Sequence, residues 1–346
     1  MNKLTKVGLS ALCGSLAGIS TANAGEMTVT GGVDMSWISL ANTETGNPIG
    51  MGSNLTFKGS GELDNGWTFD VTVAMLNSDA YSNTNVTLTM GGLGSLDFNQ
   101  GNSANGIDEF DDKMPTAWEE PWGMGLGTGI QLISGVGKAP NVQYKTPTVA
   151  GITLKLAHAT DMAGADVADK GVGGFTAGAK GHGTDATVNI NPSFGTEILS
   201  GLNMFVGGHQ TEIYNQTAGL NDYHEAVGGV TLDIGPISLG WAKSGIDTGK
   251  TTTSTDTAWY KNTMYGVSFN INDDLSISYG NHESQAGFVN EDMKGSIITE
   301  VESYQIAYTM GGASIRYADS DVTNAAYQDT IEFDKGARVI SVSLAF

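Results

Sequence analysis

Apolar and polar residues alternate one by one along segments of about ten residues, and this pattern recurs along most of the chain. In residues 67–75, for example, Trp67, Phe69 and Val71 begin an apolar row, and Thr68 and Asp70 fall between them. A period of two residues predicts a β-strand with one apolar face and one polar face. The chain must therefore pair many strands and cover many apolar faces.

Sixteen such segments are separated by connections that are alternately short and long. Residues 64–66, Asp-Asn-Gly, form a short connection, and Asn-Gly suits the positive φ angles of a tight hairpin turn. Alternate short and long connections are typical of up-and-down hairpins whose tight turns lie at one end of a barrel. Residues 161–200 are glycine-rich and ambiguous, so fourteen or eighteen strands are alternatives. The predicted strands lie near 26–42, 51–63, 67–77, 84–90, 95–101, 141–146, 151–160, 183–190, 201–210, 223–233, 236–246, 259–271, 274–283, 297–310, 313–321 and 336–346.

The apolar faces point to a membrane rather than to a soluble core. No stretch after residue 24 approaches 18 consecutive apolar residues, which excludes a membrane-spanning helix but not a transmembrane barrel. Aromatic residues near the strand ends, such as Trp37, Trp241 and Tyr304, favour the barrel because aromatic girdles mark membrane interfaces. The predicted fold is all-β: one transmembrane antiparallel up-and-down β-barrel over residues 25–346. A secreted β-rich surface protein is the alternative.

The first 24 residues have the features of a secretory signal peptide. Lys3 and Lys6 form a basic start, residues 7–19 form a short apolar core, and Ala22-Asn-Ala24 fits the small-x-small cleavage rule. The single cysteine of the chain, Cys13, lies within this leader. The mature protein is therefore expected to be exported and to fold without a disulfide.

Charge and motif content exclude several classes of function. The chain has 37 Asp and Glu residues against 16 Lys and Arg residues, so it is expected to repel nucleic acids. Its five histidines show no metal-ligand spacing, and no G-x-S-x-G, P-loop or dinucleotide-binding fingerprint occurs. The sequence therefore predicts neither an enzyme nor a required cofactor.

The most unusual stretch is residues 101–144, which is acidic and shows no regular period. Long loops of this kind are usually functional, and we expect this one to fold into the barrel mouth and narrow a water-filled pore. A few carboxylates in such a constriction favour cations over anions. The predicted constriction residues are Asp108, Glu109, Asp111, Asp112, Glu119 and Glu120. Alternate residues of each strand face the barrel interior, and on this basis the sequence predicts a facing basic wall of Lys58, Lys145, Lys155 and Arg316.

Two further hypotheses concern the same loop. Asp108, Asp111 and Asp112 are clustered carboxylates and predict a non-standard calcium or magnesium site, although Lys113 replaces the glycine that an EF-hand loop requires. Trp118 and Trp122 lie among the acids and are predicted to contact solutes if the channel is specific for ring-shaped substrates such as sugars.

The C-terminal segment carries the last signal. Ile340, Val342 and Leu344 alternate up to Phe346, which ends the chain, and a soluble protein seldom ends on an apolar aromatic residue because termini fray in water. We interpret Phe346 as an assembly signal for a membrane barrel. Arg338 departs from the apolar row and is expected at the outer rim.

Taken with the leader, the opening residues 27–37 (Met-Thr-Val-Thr-Gly-Gly-Val-Asp-Met-Ser-Trp) and the long acidic third loop, this terminal Phe346 makes the chain resemble a Gram-negative general porin of the alphaproteobacterial type. The resemblance implies a homotrimer of sixteen-stranded barrels in the outer membrane, in contact with lipid and lipopolysaccharide. It implies passive diffusion of small hydrophilic solutes and ions, and the acidic loop favours cations. A substrate-specific porin is the alternative within transport.

Overall fold

The computed structural model describes residues 23–42, 44–77, 79–101, 105–137, 139–162, 180–192, 199–213, 219–253, 255–290 and 296–346. These residues form sixteen β-strands and six short 3-10 helices, and no helix among them is long or apolar enough to cross a bilayer. The strands are β1 Asn23–Ala41, β2 Ile49–Glu62, β3 Thr68–Leu76, β4 Asp79–Thr89, β5 Ser95–Gly101, β6 Asn141–Lys145, β7 Ile152–Ala159, β8 Lys180–Ile190, β9 Leu202–Ile213, β10 Tyr223–Ile234, β11 Ile237–Asp247, β12 Thr257–Asn270, β13 Leu275–Phe288, β14 Ser296–Met310, β15 Ala313–Thr323 and β16 Lys335–Ala345. The 3-10 helices are Gly91–Leu93, Gly106–Phe110, Pro121–Gly123, Leu199–Gly201, Ala325–Tyr327 and Ile331–Phe333.

The sheet closes on itself. Each strand pairs antiparallel with its neighbours in sequence, and β16 pairs with β1 in a register that runs from Gly32 opposite Ala345 to Ala41 opposite Gly336. The predicted fold and the predicted count of sixteen strands are confirmed. Closure pairs the backbone N–H and C=O groups of every strand on both sides, which a bilayer requires because it offers them no water.

The two ends of the barrel differ, as the alternating connections predict. Tight turns such as Leu63–Trp67, Gly235–Pro236 and Gly311–Gly312 join even-numbered to odd-numbered strands at one end. The first strand begins and the last strand ends at this turn end, where Gly31 and Phe346 exchange two backbone hydrogen bonds of 3.1 and 2.9 Å. The longer connections lie at the opposite end, which we call the loop end. In outer-membrane barrels the loop end faces the outside of the cell.

Several strands extend further toward the loop end than the sequence predicts. β13 continues to Phe288 instead of ending near 283, and β4 begins at Asp79 instead of 84. In β13 the additional residues include Ser284 and Gln285, which pair with β12 and β14. Polar residues on both faces remove the alternation there, so the hydrogen-bonded strand is longer than the alternating segment of the sequence.

The strands bury one face and expose the other. In β14, Ile297, Val301 and Gln305 are buried on the face that contacts the third loop, which we call the inner face, whereas Tyr304 and Ile306 are exposed on the outer face. The outer face carries an apolar belt that is exposed among the described residues. Such a belt is expected of a barrel whose solvent is lipid.

The predicted leader falls largely outside the described residues, which begin at residue 23. β1 begins at Asn23, so the predicted cleavage point after Ala24 lies two residues into this strand. The signal peptide stays a prediction.

Deleting Phe346 is expected to lower the amount of folded protein in the outer membrane several-fold. The residue closes the end of the β1–β16 seam through its hydrogen bonds with Gly31, and its ring is 76% exposed on the outer face. Heat-modifiable migration of the membrane fraction on gels measures folded protein. A Phe346→Tyr variant, which keeps the aromatic end, is the control, and normal assembly of the deletion variant would contradict the prediction.

Candidate functional site: a loop held inside the barrel

The connection between β5 and β6, the third at the loop end, lies inside the barrel. The Gly106 amide donates to Oε1 of Gln143 on β6 at 2.9 Å, and the Trp118 and Glu119 amides donate to Oε1 of Gln305 on β14 at 3.0 and 3.1 Å. β6 and β14 are eight strands apart in a ring of sixteen. A segment that contacts both of them can only run through the interior. We call residues 105–137 the inner loop.

A buried carboxylate on β8 holds both ends of the inner loop. Oδ2 of Asp185 accepts hydrogen bonds from the amides of Ile107 at 2.8 Å and Val136 at 3.2 Å. Oδ1 of the same residue lies 2.5 Å from Nδ1 of His209 on β9. The Asp185 side chain has no exposed surface. Hydrogen bonds to a charged acceptor are about twice as strong as neutral ones, so this residue fastens the loop where it enters and leaves.

A second carboxylate, on β10, continues the same arrangement. Oε2 of Glu225 accepts from the amides of Ser134 at 3.0 Å and Gly135 at 2.6 Å, and its Oε1 accepts from the Tyr223 hydroxyl at 2.6 Å. Asp185 is paired with His209, and His209 with Glu225, in adjacent strand registers. The three side chains therefore form one buried row across β8, β9 and β10, which we call the wall clamp.

Two glycines allow the loop to approach the wall clamp. Gly106 and Gly135 have φ angles of 66° and 48°, which residues with a Cβ rarely adopt. A Cβ on Gly106 would lie 1.9 Å from Asp185 Oδ2, and one on Gly135 would lie 2.1 Å from the same atom. Any larger residue would therefore displace the loop from its carboxylate.

The middle of the inner loop is seated in a groove of glycines. Gly240, Gly266 and Gly280 are paired in one row across β11, β12 and β13, so this stretch of the inner face has no side chains. Pro115 packs over the first two glycines and Pro121 over the third. The proline rings fill the space that side chains would otherwise occupy.

Apolar contacts fix the loop on both sides of that groove. Phe110 stacks on Phe205 of β9, with ring centroids 4.6 Å apart, within a cluster that also buries Ile107 and Met114. Met124 belongs to a second cluster with residues of β14, β15 and β16. Burial of side chains this large stabilises the seated loop by about 2 kcal/mol each.

The connection between β15 and β16, the eighth at the loop end, covers the inner loop. The Tyr327 hydroxyl accepts from the Gln131 amide at 3.0 Å, and the Ala326 amide donates to the Thr128 carbonyl at 2.7 Å. Burial raises the pKa of the Tyr327 hydroxyl, which keeps it neutral. Residues 324–334 therefore lie against the inner loop at the loop end.

The predicted constriction acids are distributed along this loop in different surroundings. Glu109 forms an ion pair with Lys155 of β7, and both side chains are 13% exposed. Asp108 and Asp111 are half-buried, and Asp112 is exposed. Within the described ranges, no three Asp, Glu, His or Cys side chains are grouped so that they could hold a metal ion, so the predicted calcium or magnesium site has no preformed ligand set.

The predicted basic wall is spread over three places. Lys58 lies on β2, Lys145 and Lys155 face each other across β6 and β7, and Arg316 lies on β15. Arg316 binds Asp34 of β1 at 3.2 Å, and its guanidinium lies 5.9 Å from the Trp118 ring centroid. Lys155 contacts the inner loop through Glu109, and Arg316 lies beside Trp118 of the same loop, but the four bases do not form one cluster.

The remaining predicted loop residues lie further along. Trp118 is half-buried against the second apolar cluster, and Trp122 is half-buried in the 3-10 helix Pro121–Gly123. Glu119 and Glu120 precede that helix. Burial, and then the hydrogen bond and negative charge of Glu119, raise the pKa of the Glu120 carboxyl from its ordinary 4.5 to about 8. Near neutral pH Glu120 is therefore mostly uncharged.

Acids also line the barrel wall away from the loop. Asp97 of β5 is paired with the inner-face residue Gln143, and Asp70 of β3 joins the same face through Thr87 of β4. Asp97 accepts a hydrogen bond of 3.0 Å from the Thr87 hydroxyl. With Asp34, these residues make the wall of β1 to β5 acidic rather than basic.

The residues that the sequence analysis missed are the ones that hold the loop. Asp185, His209, Glu225 and Gln305 occupy single polar positions in ordinary alternating strands, so nothing in the sequence separates them from other pore-facing residues. Strand parity gives their inner face, but only the fold shows which of them meet the loop.

The site is a narrowed, polar passage through a closed membrane barrel, which defines a channel protein. Residues 8–310 match the Gram-negative porin family. The chain belongs to this family, whose members are channels of the outer membrane and not enzymes.

Solved porin structures share the fold. The anion-selective porin from Comamonas acidovorans superposes with a TM-score of 0.66 at 14% identity, covering 93% of this chain and 99% of that chain. Salmonella typhi OmpF in complex with daunomycin gives 0.69 at 11% identity, covering 93% and 98%. OmpT of Vibrio cholerae in its trimer form gives 0.63 at 11% identity, covering 94% and 100%. A comparison with curated protein sequences finds no match.

Replacing Asp185 with Asn is expected to loosen the inner loop. The amide places N–H donors against loop N–H donors, and loss of such charged hydrogen bonds costs about 3 kcal/mol. Protease cleavage within residues 105–137 of the folded protein should become faster, and single-channel current should become noisier. Asp97→Asn is the matched control because Asp97 hydrogen-bonds to the wall residue Thr87. A loop in Asp185→Asn that resists protease as well as in the unchanged protein would disprove the clamp.

The charge of Glu120 is expected to make ion preference depend on pH. Because its pKa is raised to about 8, the carboxyl gains its charge as the pH rises through this value, and the permeability ratio of cations to anions should rise over the same interval. Reversal potentials measured across a salt gradient from about pH 6 to about pH 10 test this. In the Glu120→Gln variant the permeability ratio should not change over this pH interval. In the Glu300→Gln variant, which changes the outer face, the ratio should still rise with pH.

Proposed function

We propose that this porin is a water-filled channel for passive diffusion of small hydrophilic solutes and ions, and that it favours cations. The observation that carries the cation preference is the acidic lining on both sides of the passage. Asp108, Asp111 and Asp112 lie on the inner loop, and Asp70 and Asp97 lie on the wall of β1 to β5. Carboxylates in a narrow passage with low-dielectric walls raise the local concentration of cations.

The way the loop is attached supports a fixed aperture. Its ends are bound to the wall clamp, its prolines sit in the glycine groove, and Gln305 holds its middle. A loop fastened at three places keeps its carboxylates at constant distances from the opposite wall. Selection by size and charge then needs neither a moving part nor a cofactor.

Two of the predicted bases are neutralised by acids. Lys155 is paired with Glu109, and Arg316 with Asp34. These pairs reduce the number of positive charges that could attract anions. This arrangement supports cation preference, although the fold is shared with an anion-selective porin.

The same proposal extends to assembly and location within the membrane. We expect a homotrimer surrounded by lipid and lipopolysaccharide, exported through the predicted leader. The trimer form of the similar Vibrio cholerae OmpT supports trimerisation. The exposed apolar residues of β1 and β2, among them Met35, Trp37 and Met51, supply a surface that a neighbouring subunit or lipid would cover. The divalent-ion site, the aromatic solute contacts of Trp118 and Trp122 and the alphaproteobacterial type stay predictions.

Changing Asp108, Asp111 and Asp112 together to Asn is expected to lower the cation-to-anion permeability ratio at least about twofold, because three charges leave the passage. The measurement is the reversal potential of single channels in a planar bilayer under a salt gradient. The control changes Glu283, Glu300 and Glu302 to Gln, which removes the same charge from the outer face of β13 and β14. An unchanged ratio in the Asp variant, with normal conductance, would remove these residues from the selectivity site.

A further inference from the structure

Two histidines from adjacent strands lie side by side on the outer face near the loop end. His158 is on β7 and His182 is on β8, and both residues are exposed. Their ring centroids are 5.7 Å apart, and the rings are tilted by 43°. The next residues of the two strands, Ala157 and Gly183, are buried on the inner face, so the two imidazoles project away from the passage.

Each imidazole has one ring nitrogen engaged by a neighbour on the sheet. Nδ1 of His182 lies 3.0 Å from Oε2 of Glu212 on β9, and Nδ1 of His158 lies 3.0 Å from Oγ1 of Thr184 on β8. In a neutral imidazole whose Nδ1–H donates, the lone pair is on Nε2. The two neighbours therefore leave Nε2 of both rings available as a metal ligand.

Metal-binding histidines use this arrangement. A ligating imidazole usually donates its second ring N–H to a carboxylate or to another oxygen, which fixes the tautomer and the orientation of the ring. Imidazole nitrogens bind Zn²⁺ at about 2.0–2.1 Å, so two imidazoles that share one ion have ring centroids about 5–6 Å apart. The separation of His158 and His182 falls within this range.

The backbone of β8 departs from regular pairing at the same point. The register of β8 with β9 shifts between Lys180 and Gly183, and His182 lies within this irregularity. Bulges of this kind re-aim side chains and are over-represented beside active sites. The irregular part of β8 thus carries one of the two imidazoles and its contact with Glu212.

We propose that His158 and His182 together bind one divalent transition-metal ion, such as Zn²⁺ or Cu²⁺. Imidazole suits these metals, whereas Ca²⁺ and Mg²⁺ take oxygen ligands. The chain supplies two nitrogen ligands and water supplies the others, which agrees with the finding that no three His, Cys, Asp or Glu side chains form a ligand group in the part of the chain that the structure describes. The ion lies outside the passage, so the proposal is independent of the ion preference of the channel.

An ion at this position ties β7 to β8 near the loop end of both strands. Because the unfolded chain does not hold the two imidazoles together, the ion binds the folded barrel preferentially and stabilises it. The temperature at which the folded band disappears in heat-modifiable migration should therefore rise when Zn²⁺ is added. It should not rise in the double variant His158→Asn/His182→Asn.

The direct test titrates Zn²⁺ into the folded full-length protein, without a histidine tag, in detergent micelles. Calorimetry should give one site per chain that excess Mg²⁺ does not displace, because Mg²⁺ binds imidazole poorly. Cu²⁺ bound to the same protein should show the pulsed-EPR modulation of two imidazoles, and His158→Asn or His182→Asn alone should remove that two-imidazole signature. The control is His224→Asn, which changes an outer-face histidine on β10 and should leave the binding of both ions unchanged.

A further variant separates the ligands from the residue that positions them. Glu212→Gln keeps both imidazoles, so it should retain the two-imidazole signature but bind Zn²⁺ about tenfold more weakly. Zn²⁺ binding that persists undiminished in the folded double variant would overturn the proposal. A Cu²⁺ spectrum of the unchanged protein with no more than one imidazole would also overturn it, whether or not the variants fold.

Discussion

The passage through this barrel depends on two carboxylates that face away from water. Asp185 and Glu225 accept four backbone hydrogen bonds from the inner loop, one from its first residues and three from its last residues. A buried carboxylate without such donors would be costly, and backbone amides inside a barrel would be costly without acceptors. Each therefore satisfies the other. The loop keeps its place because leaving the wall would deprive both the carboxylates and the loop amides of their hydrogen-bond partners.

The remaining features of the interior follow from that attachment. Once both ends are fixed at β8 and β10, about thirty residues must cross the lumen and return, and the wall has to accept them. The glycine row of β11 to β13 makes room for Pro115 and Pro121. The side chain of Gln305 forms three hydrogen bonds with the backbone of Trp118 and Glu119, in the middle of the loop. Asp70 and Asp97 lie on another part of the wall, on β3 and β5. The constriction is thus formed between the inner loop and this acidic part of the wall.

The barrel could be predicted from the sequence, but the attachment of the loop could not. The alternation of apolar and polar residues, together with the alternation of short and long connections, predicts all sixteen strands, because both signals are local in the sequence. The loop is recognisable by its length and acidity. The position of the loop inside the barrel depends on contacts such as that of Ile107 with Asp185, which are far apart in the sequence. Neither residue is unusual for its place in the sequence. The predicted basic wall shows the same limit: parity gives the correct face for Lys155 and Arg316, but it cannot show that each meets an acid.

The sequence separations of these contacts bear on how the channel is made. Ile107 meets a residue 78 positions later, Ser134 one 91 positions later and Trp118 one 187 positions later. The residues that hydrogen-bond to the inner loop are thus synthesised after it, and they extend as far as Tyr327, between the last two strands. The loop cannot settle until the C-terminal half of the barrel is in place. A barrel that stalls before closure would be an unrestricted hole, so completion of folding and the permeability barrier of the membrane are reached in the same step.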